Sequence, residues 1–254
     1  MPYLHLLGTG AAMSDPHRTV TMLAVEDEND LYLIDCGGDA VQRLLLLGAP
    51  LEKLRGVIVT HEHPDHVAGF PLLMEKLWLA GRTAPVDVYG IESALRTAER
   101  LLDTFDTSGW EGMPEIRRHE VAYEPGAPVL SEGPWSVTAS PGVHSVPVVG
   151  LRVAHQAEEG KTPTVIAYSC DTEYSEDIVE LASDADVLIH EATGSMGNHS
   201  SVHDAARVAA RAACGRVLLV HLPPAASLTD DMIAEARRTF ANLDRGREGG
   251  TYRW

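Results

Sequence analysis

The chain has 254 residues, 44% of them apolar, enough to close a sizeable core but without a run near the roughly 18 apolar positions of a membrane span. It sets 37 acids against 20 bases, only three of them lysine, and the net charge of −17 argues against a broad basic face for gripping long nucleic acid. Cys36, Cys170 and Cys214 are widely spaced and odd in number, which argues against a disulfide framework or a thiolate zinc site.

The N-terminal MPYLHLLGTG has no basic stretch followed by a long apolar one. It reads as the opening strand of a domain, and a cytoplasmic protein is expected. Strands are then predicted at LAVED (23–27) and LYLID (31–35), a helix at 39–48, and a strand at GVIVT (56–60). A helix over 70–81, a strand over 86–90 and a helix over 92–105 follow. The Gly-, Pro- and charge-rich segment 109–134 reads as loops with one short strand. Further strands are predicted at 135–140, 149–154 and 164–169, a helix at 175–183, a strand at 186–190 and a helix at 202–214. A strand at 216–221 and a helix at 229–243 complete the pattern, and the tail DRGREGGTYRW is expected to be loose, with Trp254 able to dock. Gly48, Gly81 and Gly215 mark helix ends, and Ser175 and Thr229 are candidate N-caps. No low-complexity linker and no solenoid repeat interrupts this alternation, so an α/β layered fold and one domain over 1–254 are expected.

The densest chemistry lies in VTHEHPDHVAGF, directly after the strand at 56–60. His61 and His63, as alternate residues of an extended turn, project to one side and can share an ion. Pro64 stiffens the turn and favours an extended His63, while Asp65 and His66 follow as the chain curls into a helix. This division suits two divalent cations. Further donors stand at the ends of apolar strands: His144 after 135–140, Asp171 after 164–169, and His221 closing 216–221. Asp171 is the candidate bridge, because a carboxylate has lone pairs on two oxygens to share.

The HxHxDH motif with a later His, Asp and His resembles the metallo-β-lactamase superfamily. HLLGTGAAMSDPHR, LYLIDCGGDAVQRLL, AYSCDT, VLIHEAT, HSSVHDAA and VLLVHLPP narrow the resemblance to ribonuclease Z and its relatives. It implies a four-layer αβ/βα sandwich with metals in a cleft between two sheets. It implies His61, His63 and His144 on one ion, Asp65, His66 and His221 on the other, and Asp171 between them. It also assigns Glu191 and His199 to protonation of the leaving oxygen, with Asp65 able to receive a proton. Asp35 is expected to orient the metal loop or a ligand histidine. Cys170 stands where relatives commonly have Gly, and no chemistry is assigned to it. His190, beside Glu191, is expected to face the core.

The expected activity is hydrolysis by water activated between two cations, with zinc as leading candidate and manganese compatible. In the family, tRNA processing depends on a protruding arm inserted between the third histidine motif and the AYSGDT-like motif. Here the interval from His144 to Asp171 holds two strands and the loop AHQAEEGKTPT. The expected substrate is therefore a small or accessible phosphodiester, such as a cyclic phosphate, a nucleotide or an RNA 3′ end, without an extended nucleic-acid surface. The alternatives are tRNA 3′-end processing, a lactonase or thioesterase on the same scaffold, and a non-enzymatic metal- or metabolite-binding role. Relatives are often dimers, so the resemblance also admits a homodimer.

Overall fold

A computed structural model describes residues 2–156, 160–195 and 197–254. Strands β1 (Tyr3–Gly8), β2 (Met22–Glu26), β3 (Leu31–Ile34), β4 (Leu54–Val59), β5 (Val86–Gly90) and β6 (Ile116–Glu120) build most of one sheet. A second contains β7 (Ala127–Glu132), β8 (Trp135–Pro141), β9 (Val149–His155), β10 (Thr164–Tyr168), β11 (Val187–Glu191), β12 (Val217–Val220) and β13 (Leu243–Arg245). The last strand, β14 (Gly250–Arg253), returns to the first sheet, so the orders are β14-β1-β2-β3-β4-β5-β6 and β13-β12-β11-β10-β9-β8-β7. Antiparallel pairs at one side of each sheet give way to parallel runs, β3 to β6 and β10 to β13.

Parallel strands covered on both faces are apolar at nearly every position. All four residues of β3 and of β12 are buried accordingly. The main core lies between the sheets, where Leu4, Leu33 and Val57 join Trp135, Leu151 and Ile189 in one cluster. Helices α1 (Ala40–Leu46), α2 (Pro64–Val67), α3 (Phe70–Leu79) and α4 (Glu92–Leu102) follow strands of the first sheet, and the buried faces of α1, α3 and α4 extend that core. Helices α5 (Glu176–Leu181), α6 (Val202–Arg211) and α7 (Asp230–Ala236) cover the second sheet through a separate apolar cluster. The result is the four-layer αβ/βα sandwich that the sequence led us to expect. Among the described residues, no helix is long and apolar enough to cross a membrane.

Four expectations are corrected. Segment 109–134 contains two strands, β6 and β7, because edge pairing with β5 and β8 recruits residues whose charge had suggested loops. The helix expected over 229–243 stops at Ala236, since Leu243 pairs with Val217 in the sheet and Arg237 donates to the Leu243 carbonyl. The tail is not loose either. Its Glu248 carboxylate accepts from the Thr9 and Thr19 amides, the Thr9 hydroxyl and Arg43, and β14 then pairs antiparallel with β1. At α6 the left-handed turn falls on Ala213, not on Gly215. Residues 157–159 of AHQAEEGKTPT lie outside the described residues, but β9 ends at His155 and β10 starts at Thr164. Only a short connection separates the strands.

Candidate metal centre

The metal loop leaves β4 at its C-terminal end. His63 is extended (φ −65°, ψ 146°) and caps α2, with Pro64 in the first helical position. The imino ring needs no hydrogen-bond partner there and its fixed φ suits the helix start, so the turn is set by local sequence. Gly37, after β3, is packed so closely on this loop that a Cβ would lie 1.8 Å from the Asp65 carbonyl oxygen. His144 follows β8, Asp171 follows β10 and His221 follows β12. The C-terminal ends of parallel strands β4, β10 and β12, joined by the end of antiparallel β8, thus bring residues separated by up to 160 positions to one cleft.

Among the described residues four sets of donor atoms lie close together, and two of them share Asp171. In the first, His63 Nδ1 lies 3.2 Å from His61 Nε2 and 3.1 Å from His144 Nε2. Asp171 Oδ2 stands 3.8 and 3.9 Å from those two Nε2 atoms. In the second, the same oxygen is 3.4 Å from His66 Nε2 and 3.3 Å from His221 Nε2. Asp65 Oδ2 closes that group at 3.6 and 3.2 Å from the same nitrogens. Four-coordinate zinc with bonds of about 2.0–2.1 Å separates its donors by about 3.3 Å, close to these edges.

The protons support the same reading. His66 Nδ1 donates to Asp35 (2.8 Å) and His144 Nδ1 to the Asn198 carbonyl (2.8 Å), while His61 Nδ1 lies 3.1 Å from the Thr60 hydroxyl. Each of these rings therefore commits Nδ1 to its partner and turns Nε2 into the cleft. His66 Nε2 and Asp171 Oδ1 are buried and have no hydrogen-bond partner. Such unpartnered polar atoms are costly unless something else satisfies them, and five imidazoles with two carboxylates are the donor set for divalent cations. The residues fit the group.

Electrostatics divide the ligands. Burial, with the neighbouring His66 charge, holds His61 well below the ordinary histidine range, and burial with His144 also lowers His63. Both are ready neutral ligands. For His66 burial pulls down, but Asp171 and Asp35 outweigh it and hold the ring well above the ordinary range. Before binding, a cation must displace that proton. Affinity should accordingly fall as the medium becomes more acidic and strengthen only above the usual histidine pKa of about 6.5, which chelator competition across pH would read.

Asp35 reaches both groups. Its carboxylate accepts from His66 Nδ1, the Thr60 amide and the Thr60 hydroxyl. Thr60 Oγ1 in turn lies next to His61 Nδ1 and accepts from the Cys170 thiol at 2.9 Å. We expect Asp35→Asn to weaken cation affinity about 10- to 100-fold in the same competition assay. Burial pushes the Cys170 thiol up to about 12, and its proton is directed at the Thr60 hydroxyl. Asp35, Cys170, Asn198 and His221 all have φ between 49° and 68°. Left-handed backbone at non-glycine residues is costly, and here it gathers around the site.

Beside the metal groups, His199 Nδ1 donates to Glu191 Oε1 at 2.9 Å. Glu191 is fully buried and also accepts from the Thr172 and Thr193 amides. Burial opposes the charged form of His199, but the Glu191 hydrogen bond and charge, with Asp171 and Asp65 farther off, raise its pKa. The Glu191 part of that effect persists when cations neutralise the aspartates. His190 is buried, with Nδ1 donating to the Glu191 carbonyl. Sequence reasoning missed Thr60, the Asn198 carbonyl and Thr193, whose Oγ1 lies 2.6 Å from His221 Nδ1. The two threonines flank HEHPDH and HEA, which was a usable signal. A backbone carbonyl offers none.

The beta-lactamase superfamily domain matches residues 31–222, more than half of the chain. Ribonuclease Z of Synechococcus sp. (strain WH7803) is 30% identical, over 92% of this chain and 90% of the relative. The chain belongs to the metallo-β-lactamase superfamily, in its ribonuclease Z-like branch. In fold it is similar to the metallo-beta-lactamase fold protein YhfI from Bacillus subtilis, with a TM-score of 0.80 at 23% identity over 99% of this chain and 98% of the other. The short form of human tRNase Z superposes with a TM-score of 0.80 at 22% identity, over the same shares of the two chains. With two groups of metal donors, this superfamily member is a binuclear metal-dependent hydrolase.

Proposed function

We propose that the chain is a phosphodiesterase acting on small or accessible phosphodiesters, with His61, His63 and His144 on one cation, Asp65, His66 and His221 on the other, and Asp171 shared. The observation that carries this is the pairing of His199 with buried Glu191 beside the two donor groups, His199 lying 4.9 Å from His144 and 5.4 Å from His221 between ring centroids. Bound cations would acidify a water and stabilise charge on phosphoryl oxygens. Two carboxylates among seven donors leave the loaded site positive, which favours an anionic diester. The water oxygen forms the new bond to phosphorus and its proton passes to Asp65. The bond to the leaving oxygen breaks, and that oxygen takes the proton from His199 Nε2. A thioester hydrolase, whose thiolate leaves without protonation, would have less use for an acid of this kind. Zinc suits the histidine-rich donor set best, and manganese fits the same nitrogen and oxygen donors.

A second reading, tRNA 3′-end processing, is favoured by the name of the relative at 30% identity. That alignment spans 295 positions, more than the 254 residues here, so the relative carries residues this chain lacks. Together with the net charge of −17, this weighs against a polyanion. On a bis-nitrophenyl phosphate, a cyclic nucleotide and a pre-tRNA, we expect turnover of the small diesters with little salt dependence. Any pre-tRNA cleavage should rise with added salt as repulsion is screened. Preferred cleavage of pre-tRNA, falling with salt, would overturn the small-diester reading. A homodimer is supported by the outward leucines 45, 46 and 79, which are 59%, 70% and 67% exposed, and light scattering would test it.

A further inference from the structure

A cleft of about 270 Å³ opens directly beside the donor groups, with His199 and His221 as its floor. Ala11, Ala12 and Met13 form one wall, and Thr193 and Gly194 the other. Neither wall carries a charged side chain. The Thr193 hydroxyl is already bound to His221, both at Nδ1 and at the carbonyl. Arg18 is the cation closest in sequence to this wall, and its guanidinium is held by Asp15 at 3.3 Å and by the Pro223 carbonyl at 3.1 Å. The space equals roughly nine waters, enough for one nucleoside-sized group.

His199 spends Nδ1 on Glu191, which leaves Nε2 for the leaving oxygen. Whatever substituent that oxygen carries must extend from His199 into the cleft that His199 lines. We propose that this cleft is the leaving-group subsite and that it selects a single uncharged alcohol of nucleoside size, excluding one that carries a further phosphate. This rests on the phosphodiesterase reading and deepens it. A further phosphate would enter walls that offer it no cation, in a protein of net charge −17, and would lose its hydration without compensation. Met13 is the specificity-determining residue, because it has the largest side chain of the Ala11–Met13 wall and the residue is 46% exposed.

The test compares a dinucleoside monophosphate with the same compound bearing one extra phosphate on the leaving nucleoside. The uncharged leaving group should be preferred by about tenfold or more in kcat/KM, equivalent to about 1.4 kcal/mol. Met13→Lys should narrow or reverse that ratio while leaving bound cations unchanged. In chain labelled at the methionine methyl groups, added uridine should move the Met13 resonance, assigned by its loss in Met13→Leu. Equal rates on both diesters, with Met13→Lys unchanged and the Met13 methyl unmoved, would overturn the subsite while leaving the phosphodiesterase reading standing. No hydrolysis of either diester by the cation-loaded chain would overturn both.

Discussion

Asp171→Ala should reduce the bound divalent cations from two per chain to one or none, and lower kcat/KM on a diester by at least about three orders of magnitude. Its Oδ2 lies within 4 Å of Nε2 atoms in both donor groups, at 3.8 and 3.9 Å on one side and 3.4 and 3.3 Å on the other. Removing it withdraws a ligand from both cations at once. It also takes one of two shared carboxylates from buried His66 and His221, leaving them Asp65, and Asp171 itself is held well below the ordinary carboxylate range by these rings despite the opposing effect of burial. Several kcal/mol of charge stabilisation is lost with a cation, and each 1.4 kcal/mol is about tenfold in rate. Elemental analysis beside steady-state kinetics reads both quantities, with circular dichroism as a check that the chain still folds. A variant keeping two cations and full turnover would show that Asp171 does not bridge.

His199→Ala should behave in the opposite way, retaining its cations while kcat falls by about 10²- to 10⁴-fold on a diester whose leaving group is an alkoxide. The loss should shrink with a nitrophenolate leaving group, which departs without protonation. That contrast separates an acid from a residue that merely supports the loop. Glu191→Gln gives a second readout through pH. His199 must be protonated to act, so the rate declines as pH rises through its pKa, which the Glu191 hydrogen bond and charge raise against the pull of burial. Removing the carboxylate charge should move the alkaline limb to lower pH. An unchanged limb, together with equal losses on both leaving groups, would remove His199 from the proton-transfer role.

The site was more legible in the sequence than parts of the frame that holds it. Four donors fall within the six positions 61–66, and three more stand where apolar strands end, two of them after parallel strands that deliver their C-terminal ends to one edge. The strand and helix alternation was readable for the same reason: strands buried on both faces show unbroken apolar runs, as in LYLI and VLLV. The C-terminal region was not. ARRTFANL has helical propensity, yet Leu243 gains more by pairing with β12 than by extending α7. Glu248 lies in a glycine- and arginine-rich stretch that composition alone marks as loose. Its carboxylate instead joins Thr9, Thr19 and Arg43, contacts between residues more than 200 positions apart that no local pattern announces. The same limit applies to the Asn198 carbonyl that fixes His144.

The measurement that bears most directly on this account is cation binding to the chelator-stripped chain. It should be titrated with zinc and with manganese and followed by anomalous diffraction to locate what binds. Two ions should be found per chain, one against His61, His63 and His144, the other against Asp65, His66 and His221, with Asp171 touching both. A protein that binds no divalent ion at saturating concentration, or binds it away from these seven side chains, would contradict the account at its root.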